Sequence, residues 1–140
     1  MNATLVVDAK PSIARSIWAV VAGFLTVVIF STVVDQIFHM LDVYPPWGQP
    51  MPDTGDNALA LSYRIVITVI GGWITARLAP RNPMKHAIIL GVIGFVVGVA
   101  AAIATIPLNW GPAWYPILIP ITGFPATVFG GWLYARRVTG

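Results

Sequence analysis

The sequence has no cysteine, which excludes disulfide bonds, thiolate zinc sites, iron–sulfur clusters and the thiol relays of membrane disulfide-forming enzymes. Glutamate is absent too: the acidic residues are Asp8, Asp35, Asp42, Asp53 and Asp56, so no glutamate can serve as an acid or base. Charge of either sign is scarce. Only 9% of the 140 residues are Asp, Glu, Lys or Arg, whereas a soluble domain carries about 25%. The net charge of +3 is basic. However, the basic residues flank apolar runs in short groups and form no continuous patch, so nucleic acid is not an expected partner.

What is present is apolar: 57% of the chain is hydrophobic. A hydrocarbon core of about 30 Å takes roughly 20 apolar residues to cross as a helix, which leaves room for four crossings, short loops and no second domain. The expected fold is an all-α membrane protein, residues 1–140 forming one domain of four transmembrane helices at about 13–41, 57–78, 87–106 and 113–136. Residues 16–34 carry no charge and end without a small-residue cleavage site, so they are read as a retained helix and not a signal peptide. Asp56 or Asn57 is expected to cap the second helix and Pro80 to stop it, with the third ending before Pro107. Pro116, Pro120 and Pro125 predict a kinked or partly unwound fourth helix.

Seven of the eight basic residues lie on one side: Lys10, Arg15, Arg77, Arg81, Lys85, Arg136 and Arg137. The loop at 42–57 has three aspartates and no Lys or Arg. The positive-inside rule therefore predicts that both ends and the 78–86 turn are cytoplasmic.

An offset of 59 aligns Thr68-Val69-Ile70-Gly71-Gly72-Trp73-Ile74-Thr75-Ala76-Arg77 with Thr127-Val128-Phe129-Gly130-Gly131-Trp132-Leu133-Tyr134-Ala135-Arg136. This predicts two duplicated hairpins related in parallel, packed as a compact bundle. Helices in lipid associate through small residues, so Gly71, Gly72, Gly130 and Gly131 are expected at helix contacts. On the third helix Ala87, Gly91, Gly94, Gly98, Ala101 and Thr105 form a stripe expected to face another helix. Trp73 and Trp132, one turn from Arg77 and Arg136, suit the inner boundary.

Arg64 is the exception among the basic residues. It lies 13 residues before Arg77, about 20 Å away along a helix, and so roughly 10 Å below the outer surface. A charge there needs a partner, and Asp35, at the outer end of the first helix, is the expected one. The pair reads either as a structural pin or as a substrate or ion site. Ser31, Asp35, His39 and Asp42 fall on one helix face. Asp and His four apart can bind a metal, but no fourth ligand is evident, so a solvated polar face is expected and no metal. His39 and His86 lie near opposite faces of the membrane, too far apart to share a haem, and no cofactor is expected. Asp53 to Asn57 lacks the spacing and terminal Glu of an EF-hand and reads better as a helix cap.

Tyr63-Arg64 through Gly71-Gly72-Trp73-Ile74-Thr75-Ala76-Arg77-Leu78-Ala79-Pro80, followed by Pro83-Met84-Lys85-His86-Ala87 and Leu90-Gly91, resembles small bacterial four-helix membrane proteins with no known activity. The resemblance covers most of the second and third helices. It implies a bacterial inner-membrane setting and supplies no catalytic residues. Small multidrug transporters share the size and helix count, but their embedded first-helix glutamate has no counterpart here. No hydrolase, metalloprotease, Walker or dinucleotide motif occurs. The expected function is therefore structural or accessory and not enzymatic, with the lipid bilayer and a second copy or another membrane protein as partners. The alternative is a small oligomeric transporter or channel using Arg64 and Asp35.

Overall fold

A computed structural model describes residues 13–139 as four helices: α1 (Ile13–Met40), α2 (Thr54–Leu78), α3 (Pro83–Thr105) and α4 (Trp114–Thr139). Lys10, counted above among the cytoplasmic charges, lies outside the described residues. All four helices are long and apolar enough to cross a membrane. Their outward faces carry large apolar side chains such as Ile17, Trp18, Ile29, Phe30, Val96 and Phe129. Such a surface is a liability in water but is the expected one in lipid, and α1, at 28 residues, rises about 42 Å.

The helix starts differ from expectation. Asp53, not Asp56 or Asn57, caps α2, its Oδ1 accepting from Asp56 N–H at 3.0 Å, so the helix begins three residues early. Asn57 is instead buried inside the first turn and donates from Nδ2 to Met51 O at 2.8 Å and Asp53 O at 2.7 Å. α3 begins at Pro83 rather than 87, because proline suits the first helical turn, where its missing N–H costs nothing. It ends at Thr105 in a 3-10 turn, Ile106–Leu108.

The partly unwound fourth helix does not occur: α4 runs uninterrupted through Pro120 and Pro125. Pro116 falls in its first turn, where no intrahelical N–H is needed. Along the same stretch Thr122 and Thr127 return their hydroxyls to Leu118 O at 2.7 Å and Gly123 O at 2.8 Å.

Contacts between small residues set the arrangement. α2 and α4 run side by side in the same direction and form the tightest seam. A methyl on Gly72 would overlap Thr127 O, and one on Gly130 would overlap Val69 O. α1 packs antiparallel on α2, with Gly71 meeting Val27 and Gly23, and Thr75 Oγ1 donating to Ala19 O at 2.8 Å. α3 packs antiparallel on α4, with Ala87 against Gly131, Gly91 against Phe124 and Gly98 against Pro120. Thr75 is fully buried, so Thr75→Val, nearly the same shape, is expected to lower stability by about 1 kcal/mol. An unchanged thermal midpoint in detergent would show that this interhelical bond contributes nothing.

The approach of α1 to α3 is the loosest among the packed helix pairs, looser than that of α2 to α3. α1 and α3 meet where Leu90 lies against Gly23, and further along the wall of α3 turns outward. Gly94 has nothing within 4 Å of where a Cβ would stand, and Ala101 and Thr105 are exposed. The α3 stripe therefore faces a helix only in part, at Ala87, Gly91 and Gly98, and Gly94 is a correction to the expected packing set. At the far end the two loops are joined by Met51 N–H donating to Trp110 O at 2.6 Å.

Candidate functional site

Arg64 lies in the third turn of α2 and Asp35 in the last turns of α1. Their spacing lets the guanidinium reach toward the end of the bundle, where the carboxylate sits. Arg64 Nη2 donates to Asp35 Oδ2 in a salt bridge. Arg64 Nε donates to Tyr115 OH at 2.8 Å, which brings in α4. Tyr63 OH donates to Asp35 Oδ1, so both carboxylate oxygens are engaged. Tyr44, in the α1–α2 loop, donates its hydroxyl to Tyr63 OH at 3.2 Å. Burial holds the Tyr44 hydroxyl above its ordinary pKa of 10.0, so it keeps its proton as a donor. The result is one polar chain across three helices and a loop, with the charge of each member of the ion pair offset by the other.

The pair is not sealed. Side-chain exposures are 28% for Arg64 and 15% for Asp35, and Arg64 opens onto two adjoining cavities that also share Gly98, Ala101 and Ile119 in their walls. The upper, about 350 Å³, rises from Arg64 and Tyr115 to the loops at Met51 and Trp110. The lower, about 300 Å³, descends between α1 and α3 to Leu90 and Thr127, past Gly94 and Gly123. Ser31 stands in the wall of the lower cavity, 2% exposed. Its Oγ has no hydrogen-bond partner among the described residues.

The expected polar face of α1 breaks up accordingly. Ser31 is buried at the cavity and Asp35 is consumed by the ion pair. His39 packs against Trp47 at a tilt of 33°, with centroids 4.0 Å apart, and its Nδ1 lies 2.5 Å from Pro45 O. Asp42 does not share the face at all, because α1 ends at Met40 and Asp42 takes a left-handed turn conformation at φ 56°. No group of three potential metal ligands occurs among the described residues. At the opposite end Arg77 lies 5.3 Å over the Trp73 ring and Arg136 5.2 Å over the Trp132 ring, equivalent positions of the two similar segments.

Sequence reasoning singled out Arg64 and Asp35 but not the three tyrosines that bracket them. Tyr63 adjoins Arg64 in sequence, yet its bond to Asp35 depends on how α2 is rotated. Tyr115 becomes a partner only through the α2–α4 seam. Comparison of the chain with protein-family models, curated proteins and solved structures finds no match.

Proposed function

We propose that the chain is an accessory or assembly protein of a bacterial inner membrane, not an enzyme, with both ends cytoplasmic and its two hairpins derived by duplication. The observation that supports this is the internal use of the membrane-embedded charge. Asp35 spends both oxygens on Arg64 and Tyr63, so the acid of the embedded pair is already engaged within the bundle. The pair acts as a pin: it fixes α1, α2 and α4 at one end, while glycine contacts fix the other. Orientation rests on the basic residues Arg15, Arg77, Arg81, Lys85, Arg136 and Arg137, all near one end of the helices, opposite the aspartates of the 42–57 loop.

Purification from membranes in mild detergent is expected to yield a homo-oligomer or a complex with another membrane protein. A lone monomer, with nothing crosslinked to it in intact membranes, would overturn the accessory reading. The cavities on Arg64 favour a second reading, a small oligomeric transporter or channel. In that case Arg64→Ala and Asp35→Asn change the flux of an ion or solute in liposomes. Unchanged flux across an ion and solute panel removes it.

A further inference from the structure

We propose that the two cavities hold one membrane glycerophospholipid per chain: its ester oxygens at Arg64 and Tyr115, one acyl chain descending between α1 and α3, and its headgroup beneath the loops. At the level of the ion pair, Arg64 and the hydroxyls of Tyr115 and Ser31 keep donor capacity that no described residue accepts, while Gln49 and Asn57 line the cavity above them. Arg64 uses Nε and Nη2 on Tyr115 and Asp35 and has no partner at Nη1 among the described residues. The Tyr115 hydroxyl accepts from Arg64 and donates to no described residue, and Ser31 Oγ is buried with no partner. A fully buried hydroxyl is costly to leave unsatisfied, and the open donors of Arg64 and Tyr115 call for an occupant that brings acceptor oxygens to this level. Around these donors the lining is apolar, including Val27, Val97 and Ile119. Donors at one level and apolar wall below are the profile of an ester-linked acyl chain.

Depth selects the same ligand. Asp35 is five residues, about 8 Å, from the end of α1, and the guanidinium reaches up to it from a residue ten positions, about 15 Å, below the start of α2. That level is the boundary between acyl chains and headgroups, where glycerol esters lie in a bilayer. A partner helix does not fit, because packed helix axes need 8–10 Å between them, and α1 and α3 already touch at Gly23 and Leu90. Each cavity, at about 350 and about 300 Å³, has the size of a small-molecule pocket. Above the ion pair the cavity is lined by Gln49 and Asn57, whose amide oxygens can accept from an ammonium. The nearby charges are Asp42 and Asp53 in the loop and Asp56 in the first turn of α2, with no basic residue from 42 to 57. These groups therefore favour a headgroup with an ammonium, phosphatidylethanolamine, over the anionic phosphatidylglycerol.

The test is native mass spectrometry of the full chain in detergent, supplied in turn with phosphatidylethanolamine, phosphatidylglycerol and free palmitate. The competing variant is Gly94→Leu/Gly123→Leu. Neither position has an atom within 4 Å of a Cβ, so the leucines fill the lower cavity without forcing the helices apart, and a thermal midpoint no lower than that of the natural chain verifies this. The expected result is one phosphatidylethanolamine retained per chain, with retention falling at least about tenfold in the filled variant, the equivalent of losing one or two hydrogen bonds' worth of binding. Ser31→Ala is expected to weaken retention while leaving the midpoint unchanged or higher. Equal retention by the natural and filled chains would mean annular lipid only and overturn the site. Preference for palmitate or phosphatidylglycerol would overturn the assigned ligand.

Discussion

Gly130→Leu is expected to abolish the folded bundle. A Cβ at this position would overlap Val69 O and come within 2.9 Å of Trp73 N, both main-chain atoms of α2 that no rotamer change can move. Overpacking in a core usually costs about 1–3 kcal/mol because side chains yield. Here the only relief is to separate α2 from α4, so the loss should exceed about 3 kcal/mol, a large share of the stability of any small domain. Gly72→Leu should behave alike, since it meets the Thr127 carbonyl, whereas Gly71→Ala meets mainly the movable Val27 Cγ2 at 2.5 Å and should be milder. Size-exclusion profiles and thermal melts in detergent read the result. A monodisperse Gly130→Leu protein with the natural midpoint would show that the seam is not the contact that holds the bundle.

The second large effect concerns the ion pair. Arg64→Leu leaves Asp35 with Tyr63 alone, and Asp35→Leu leaves a guanidinium with Tyr115 alone. Breaking a fully buried pair costs about 3–5 kcal/mol. With the side chains 28% and 15% exposed, partial solvation lowers this to about 2–3 kcal/mol for either single change. The double variant Asp35→Leu/Arg64→Leu removes both charges and should cost no more than either single change, giving a coupling of about 2–3 kcal/mol in a thermal-melt cycle. Simple addition of the two single losses would show that the residues act independently.

How far the sequence foretold this arrangement depends on what each signal carries. A charge within an apolar run must find an opposite charge at its own depth, and only Asp35 lay within reach, so the pair could be read from helix rise alone. Tyr115 could not, because a tyrosine at a helix mouth is ordinary and its role requires the rotation of α4 against α2. The same holds for Ser31: its position on a polar face was legible, but its isolation follows from the divergence of α1 and α3. Gly94 illustrates the limit of periodicity, which identifies a face without saying what covers it. Asp53 and Pro83 displaced the expected helix starts because several cap residues stood in a row, and local chemistry alone ranks them weakly.

The carbonyl-to-glycine contacts between α2 and α4 also bear on how the protein meets membranes of different thickness. Two backbones that interlock at Gly72 and Gly130 cannot slide past one another, so they tilt as a single rod. α1 on α2 and α3 on α4 have close glycine contacts of their own, at Gly23 and Gly71 and at Gly131 and Gly98, which leaves the approach of α1 to α3 beyond Leu90 as the loosest in the bundle. A change in bilayer thickness is therefore expected to be taken up first along that edge. The width of the opening beside Gly94 would follow that adjustment.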